Sequence, residues 1–323
     1  MKVLVIGGTL FIGRFLVRRL LEEGHHVAVL HRKAGHALPA EVENLTADRN
    51  DAASVKRAVA GRRFDVVFDN VYDWERGTTA DQVVDTVRAC GVGLQRYIFM
   101  SSVAAFAQGL NHEPDDPLAP DDHPNPYYRN KASSERALFR LHAEEGLPAV
   151  TLRPPFVYGP DNPFYREAFF WDRLEDDRPI IIPNDGSRLM QFVYVQDVVS
   201  ACMKAMTEPA AVGQAFHLGN DHPITQVEAV QAVATAAGKT PRFAFIPRQQ
   251  IATAGGSAMG PEKLYFGEYW DVPPITMVVE KTERLLGVHP TDFAAGLKET
   301  FAWYKTHGKR RLPDYSFEDQ LLT

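Results

Sequence analysis

The sequence predicts an α/β protein built on a parallel, doubly wound sheet, with a smaller substrate domain interleaved toward the C-terminus. Three observations carry that expectation. Short β-branched runs alternate with helical patterns through the first two-thirds of the chain. The first run feeds a glycine-rich turn and then a helix. After Pro160 the rhythm changes. Strands that alternate with helices at this spacing make parallel βαβ units.

Taken in order, "KVLVIG" reads as a strand. "GRFLVRRLLEEGH" reads as a helix, its apolar residues at helical spacing until Gly24 stops it. "HVAVLHR" is a second strand and "DAASVKRAVAG" a helix with Asp51 or Ser54 near its start. "FDVVFDN" is a third strand, "TTADQVVDTVRACG" a helix and "RYIFMSS" a fourth strand. "HEPDDPLAPDDHPNP" is an acidic, proline-broken loop whose carboxylates form a solvated face. "YYRNKASSERALFRLHAEEG" is a long helix and "PAVTLRPPFVYGP" a further strand. Beyond Pro160, "FYREAFFWDRLEDDRP" is an aromatic helix, "FVYVQDVVSACMKAMTEP" a strand leading into a helix, and "QAFHLGN" a short strand. Thr225 caps and Gly238 ends the helix "TQVEAVQAVATAAGK", residues 247 to 275 are irregular, and "VEKTERLLG" and "FAAGLKETFAWYKTHG" are helices. The division expected is a dinucleotide-binding domain at 1-165, to which 193-220 returns, a substrate-binding lid from 166-192 and 221-312, and a tail at 313-323.

Composition narrows the class of function. The 323 residues are 45% hydrophobic and 24% charged, enough to bury a large core. A net charge of -6 argues against a surface that coats nucleic acid, which needs clustered positive charge. The two cysteines, Cys90 and Cys202, are far apart and have no metal-type spacing, so neither a disulfide framework nor a metal site is expected. The first apolar run, Val3 to Ile6, is too short for a signal-peptide core. No run approaches the roughly 20 apolar residues that span a bilayer. The expectation is a cytoplasmic protein with no membrane partner.

The turn "GGTLFIG" follows a strand and opens a helix, the context that gives such a turn meaning. Gly7 suits the tight turn, and Gly13 lets the helix pack close to the strand. The first N–H groups of the helix then face a pyrophosphate. Leu10 stands where backbone usually approaches the phosphate, so its side chain must point away. After the second strand an acid would favour NAD and an arginine the 2′-phosphate of NADP. The chain has His31-Arg32-Lys33 there, which leans toward NADP; a solvated basic turn is the plainer alternative. Asp48-Arg49, after the next apolar stretch, stands where an adenine amino group could be held.

Two further signals point to chemistry. "RYIFMSS" ends in Ser101-Ser102, and a helix opens with Tyr127-Tyr128-Arg129-Asn130-Lys131. Tyr127 and Lys131, at i and i+4, share a helical face. A phenol of pKa about 10 is a poor base at neutral pH. A nearby ammonium and an oxidised nicotinamide favour its phenolate. A hydroxyl at the strand end can hold the substrate oxygen.

On these residues the chain resembles the extended short-chain dehydrogenase/reductase family, the NAD-dependent epimerase/dehydratase group, in an atypical branch. "GGTLFIG", "FMSSVAAF", "YYRNK", "LRPPFVYGP", "FVYVQDVV" and "FHLGN" occur in family order over nearly the whole chain. The resemblance implies a Rossmann-type fold, a bound NAD(P), catalysis by Ser102, Tyr127 and Lys131, and a homodimer paired through long helices. Only Tyr127, not Tyr128, lies four residues before Lys131. It further implies a cofactor set of Gly7, Thr9, Leu10, Phe11, Ile12, Gly13, His31, Arg32, Asp48, Arg49, Asn70, Tyr127, Lys131, Pro154 and Phe156.

The departures from the family narrow the reaction. Dehydratases of the family carry an acid pair where this chain has Val103 and Ala104. Diphosphate-binding polar groups are replaced by Met190, by "DVPPIT" and by Phe156, although Arg188 is close by. The first expectation is an epimerase acting by transient oxidation at a carbinol carbon of a sugar or sugar nucleotide. The alternative is an NADPH-dependent reductase of a carbonyl on a smaller or more apolar substrate. A third alternative is an RNA-binding non-enzyme, because "GGTLFIG" with "LHRK" also resembles the branch that includes the chloroplast stem-loop-binding proteins; acidic net charge and the intact Ser/Tyr/Lys set weigh against it. Phe164-Tyr165, Phe169-Phe170-Trp171, Tyr265-Phe266 and Tyr269-Trp270 either line a pocket or pack the core, and His217 reads as structural.

Overall fold

The computed structural model describes residues 1–323 apart from 92, 261, 309 and 312. The first half of the chain runs β1 (Lys2–Ile6), α1 (Phe11–Glu22), β2 (His26–His31), β3 (Glu43–Thr46), α2 (Ala52–Val59) and β4 (Val66–Asp69). It continues through α3 (Ala80–Cys90), β5 (Arg96–Met100), β6 (Gly109–His112), α4 (Pro126–Glu145) and β7 (Ala149–Arg153). Next come β8 (Phe156–Tyr158), α5 (Glu167–Glu175), β9 (Ile180–Pro183), β10 (Leu189–Met190), β11 (Phe192–Tyr194), α6 (Val195–Thr207) and β12 (Gln214–His217). The last elements are β13 (Ile224–Thr225), α7 (Gln226–Ala236), β14 (Phe243–Ile246), α8 (Arg248–Thr253), β15 (Ile275–Met277), α9 (Glu280–Leu286), α10 (Phe293–His307) and α11 (Ser316–Leu322).

Seven strands form one parallel sheet in the order β12-β7-β5-β4-β1-β2-β3. Its inner strands are apolar on both faces, as a sheet covered on both sides requires. Val3, Val5 and Phe68 belong to one core, with α1 and α6. Leu4, Ile6 and Val67 turn the other way, into the core of α2, α3 and α4. Strand order reverses between β1 and β4, so the carboxyl ends of β1, β4 and β5 flank a crevice there. Open α/β sheets bind ligands at such a point.

Sequence and structure differ in instructive places. β3 was not expected: "ENLT" is short and polar, and it pairs only as the sheet's edge. The single strand expected across "PAVTLRPPFVYGP" is two, because Pro154 and Pro155 offer no N–H to a ladder. β7 stays in the main sheet, while β8 pairs with β11 in a small second one. The irregular stretch 247 to 275 contains α8 and ends at β15. Within the expected tail at 313-323, α11 buries Phe317 and Leu321, and Glu318 pairs with the buried Arg173 of α5.

A buried charge cluster ties α4 to the sheet. Glu135 of α4 is fully buried and Arg153 of β7 is 3% exposed. Arg153 donates to Glu135 from Nε at 3.0 Å and from Nη2 at 2.6 Å. The Ser101 and Thr151 hydroxyls donate to the same carboxylate. His217 of β12 donates from Nδ1 to the Val278 carbonyl at 2.8 Å, which leaves Nε2 to accept from Arg153 at 3.2 Å. Burial beside Arg153 pushes His217 down to about 3, so it stays neutral in that role. Removing one partner of a buried pair leaves the other charge uncompensated. Glu135→Ala should therefore cost about 3–5 kcal/mol, read as a lowered urea midpoint; a loss below about 1 kcal/mol would contradict this account of the cluster.

Candidate active site

The crevice is built first by glycine. Gly7 takes φ +84, and a Cβ there would stand 2.4 Å from Val71 Cγ2. A Cβ at Gly13 would fall 2.0 Å from the Gly7 carbonyl oxygen, so only glycine lets α1 meet the turn this closely. Leu10 is the N-cap of α1, extended, with no side-chain cap bond. Its side chain is 63% exposed. The first N–H groups of α1 are thus free of any side-chain acceptor from the cap, and Leu10 turns to solvent. Arg14 donates to the Thr9 carbonyl from Nε and Nη2 and pairs with Asp161 at 2.6 Å. At the end of β4, both side-chain amide atoms of Asn70 are buried without a protein partner. A pinched cradle, a helix start and an unsatisfied amide around one crevice fit a dinucleotide.

The residues expected around the adenosine end divide. His31 Nε2 meets Asn44 Oδ1 at 2.6 Å and Arg32 is exposed, 3.6 Å from Asp73. Asp48 accepts from the Asn50 N–H at 2.9 Å and pairs with Arg76, whose bond holds its carboxyl below the usual range. The Arg49 side chain is 5% exposed and points into the core, where it pairs with Asp69 and donates to the Gln82 carbonyl (2.6 Å) and Thr86 (2.9 Å), so of this residue the backbone is what can face the adenosine end.

Ser102, Tyr127 and Lys131 come together at the carboxyl end of β5. The two serines part: Ser101 turns to Glu135, while Ser102 Oγ accepts from the Ala104 N–H at 3.2 Å and lies beside Tyr127. The two tyrosines part as well. Tyr128 faces His123, ring centroids 5.3 Å apart, and Tyr127 faces Tyr72 at 4.7 Å. Asn125 caps α4 and Pro126 opens it, which places Tyr127 in the first turn and Lys131 one turn deeper. Lys131 is 4% exposed, donates to the Met100 carbonyl at 2.6 Å and stands 5.9 Å from the Tyr127 ring centre. Burial pushes its ammonium down to about 8, against the pull of Asp69. Burial pushes the Tyr127 phenol up to about 12, opposed by the Ser102 hydroxyl. Pro154 is buried, its carbonyl bonded by the Val103 N–H, and Phe156 is half-buried on β8.

Sequence reasoning missed one residue in the outer wall of this site. Trp74, 55% exposed, stacks on Tyr127 at 4.8 Å and on Tyr269 at 6.0 Å, with Phe164 edge-on to Trp74 and to Tyr269. Phe164 and Tyr269 thus leave the core-packing alternative, whereas Phe169, Phe170, Trp171, Phe266 and Trp270 are buried core. Met190 is 2% exposed, and Arg188 is turned to Asp271 at 2.9 Å. Arg166, next to this wall, also carried no motif. Among the described residues no group of three or more His, Cys, Asp or Glu could hold a metal ion, and no helix is long and apolar enough to cross a membrane.

Residues 3–219 match the model of the NAD dependent epimerase/dehydratase family. The chain is similar to the chloroplast stem-loop binding protein of 41 kDa b of Arabidopsis thaliana, at 28% identity over 100% of this chain and 84% of that protein. It is similar to the 2-alkyl-3-oxoalkanoate reductase of Stenotrophomonas maltophilia, at 29% identity over 74% of this chain and 76% of that protein. The UDP-glucose 4-epimerase of Thermus thermophilus, solved in complex with NAD, superposes with a TM-score of 0.74 at 24% identity, covering 95% of this chain and 100% of the other. That last likeness is one of fold.

The lysine has a consequence for stability. Its folded pKa of about 8 lies below the ordinary 10.5, so below about 8 both states hold the proton and the cost of burying it is present in full. Between about 8 and 10.5 the unfolded chain holds more protons, and stability rises with pH. Urea midpoints of the protein relative to Lys131→Met should therefore shift in the protein's favour across that window; a flat difference would contradict it.

Proposed function

The chain belongs to the NAD dependent epimerase/dehydratase family, and on that footing we propose that it moves a hydride at a carbonyl or carbinol carbon of a small molecule. The observation that carries the proposal is the meeting of Ser102, Tyr127 and Lys131 beside a glycine cradle. The residues that would hold the cofactor are Gly7 to Gly13 at the pyrophosphate, Asn70 beyond β4, and Lys131 with Tyr127 near the nicotinamide ribose. A bound nicotinamide supplies the hydride donor or acceptor. Ser102 Oγ holds the substrate oxygen. The Tyr127 hydroxyl gives that oxygen a proton, or takes one from it. Lys131, with its charge 5.9 Å from the phenol ring, lowers the cost of the phenolate.

The reaction the geometry supports best is reduction of a carbonyl on an apolar or aromatic small molecule. Trp74, Phe164 and Tyr269 form an aromatic wall beside Tyr127, and by the family resemblance Met190 and Phe156 take the places of polar groups that meet a diphosphate. The Stenotrophomonas relative, named for an oxo acid it reduces, agrees with this direction. The second reading is epimerisation of a sugar or sugar nucleotide, favoured by the Arg14–Asp161 pair, which joins the start of α1 to the loop after β8. NADP is our choice of cofactor because Arg32 is exposed after β2, while the Thermus structure holds NAD. Stem-loop binding, which names the Arabidopsis relative, is the weakest reading for a chain of net charge -6.

Denaturing the purified protein and identifying the released dinucleotide comes first, followed by turnover assays. A reductase consumes NADPH in step with product; an epimerase shows no net consumption. Tyr127→Phe should lower kcat by about 10²-fold or more while the protein still binds the dinucleotide. Unchanged turnover in that variant would overturn the mechanism.

A further inference from the structure

Among the described residues four arginines are buried: Arg49, Arg153, Arg166 and Arg173. Three hold a carboxylate, namely Asp69, Glu135 and Glu318. Arg166, 9% exposed, has no such partner among the described residues. Its bonds are to carbonyls, from Nε to Glu268 at 3.1 Å and from Nη1 to Val157 at 3.4 Å. The nearby carboxylates are turned elsewhere: Glu268 accepts from the Tyr165 N–H at 2.9 Å and Glu167 from Asn162 at 3.0 Å. Glu167 and Glu268 lie near enough to act on the guanidinium through charge, but neither carboxylate accepts a hydrogen bond from it; a desolvated guanidinium without a hydrogen-bonded anion is costly, and the cost falls when a ligand brings one.

Its position says which ligand. The guanidinium carbon lies 4.4 Å from the centre of the Phe164 ring and 5.3 Å from that of Phe156. Phe164 is edge-on to Trp74 and Tyr269, and Trp74 stacks on Tyr127. The cation therefore stands in the same wall as the phenol assigned the proton transfer. We propose that Arg166 receives a carboxylate of the substrate, whose flat apolar body lies against Trp74, Phe164 and Tyr269. The substrate class is then an aromatic or unsaturated oxo acid. This rests on the reductase reading and deepens it.

A carboxylate fits better than a phosphate. Among the described residues no atom accepts from the two N–H groups of Nη2, and a carboxylate can accept from one guanidinium edge through both oxygens. One negative charge is balanced by Arg166. A dianion would meet Glu167 and Glu268, whose charges already lie near the guanidinium.

The test is calorimetric binding of cinnamate, cinnamamide and phenyl phosphate to the full chain, with Arg166→Gln and Arg166→Lys alongside. Cinnamate should bind the unaltered protein at least about tenfold more tightly than its amide, as one charged hydrogen bond provides. Arg166→Gln should erase that preference while still binding the amide, and Arg166→Lys should restore part of it. Equal affinities, a preference that survives Arg166→Gln, tighter binding of phenyl phosphate, or no binding of cinnamate would each overturn the proposal. NADPH binding is measured on the same samples. If the unaltered protein binds no dinucleotide, the functional reading fails whatever the probes do; if it binds NADPH and shows no preference for cinnamate, only the role of Arg166 fails.

Discussion

The buried pairing of Glu135 with Arg153 is the constraint on which the site depends. Glu135 lies one helical turn beyond Lys131, as Lys131 lies one turn beyond Tyr127. Arg153 ends β7, Ser101 follows the last residue of β5, and His217 ends β12. All of them meet at one carboxylate or its guanidinium. The contact fixes the rotation and height of α4 against the sheet. A slip of one residue would turn Tyr127 away and bring Tyr128 in. A buried ion pair adds little net stability over a well-packed apolar substitute. What this one adds is register, and register sets which hydroxyl faces the crevice.

The site joins two environments. On the sheet side, Lys131 and Ser102 are polar groups held by backbone: the Met100 carbonyl accepts from the ammonium, and the Ala104 N–H donates to the hydroxyl. On the outer side, Tyr72 and Trp74 stand against the phenol, and Phe164 and Tyr269 stand against Trp74. The loop that carries Trp74 is itself held by charge, since Arg76 pairs with both Asp48 and Asp73. A dry wall raises the cost of charging the phenol and strengthens the effect of any cation brought near it. The same tyrosine is thus quiet alone and responsive to its partners.

Much of the fold was legible because its signals are local. The β1–α1 turn needs glycine at two positions for steric reasons that any reader of the sequence can state. Tyr127 and Lys131 announce a shared face by their spacing. The Thr225 cap and its reciprocal Glu228 bond follow from the same local rules. What was not legible depends on distant partners. Arg49 follows Asp48 in sequence but belongs with Asp69, Gln82 and Thr86, which only the folded sheet brings near. The C-terminal residues look polar and loose until Glu318 finds Arg173 under Phe169. Trp74 and Arg166 are more than 90 residues apart and share no motif, so only the fold places them in one wall.

The central claim is that Lys131 and an oxidised nicotinamide together bring the Tyr127 phenol from about 12 toward neutrality. The measurement that tests it most directly is an ultraviolet difference titration of the protein against Tyr127→Phe, with and without saturating oxidised dinucleotide. The account predicts that the phenolate signal assigned to Tyr127 moves to lower pH when the dinucleotide is present, and that Lys131→Met abolishes the movement. A phenol that titrates at the same pH in both conditions would contradict it.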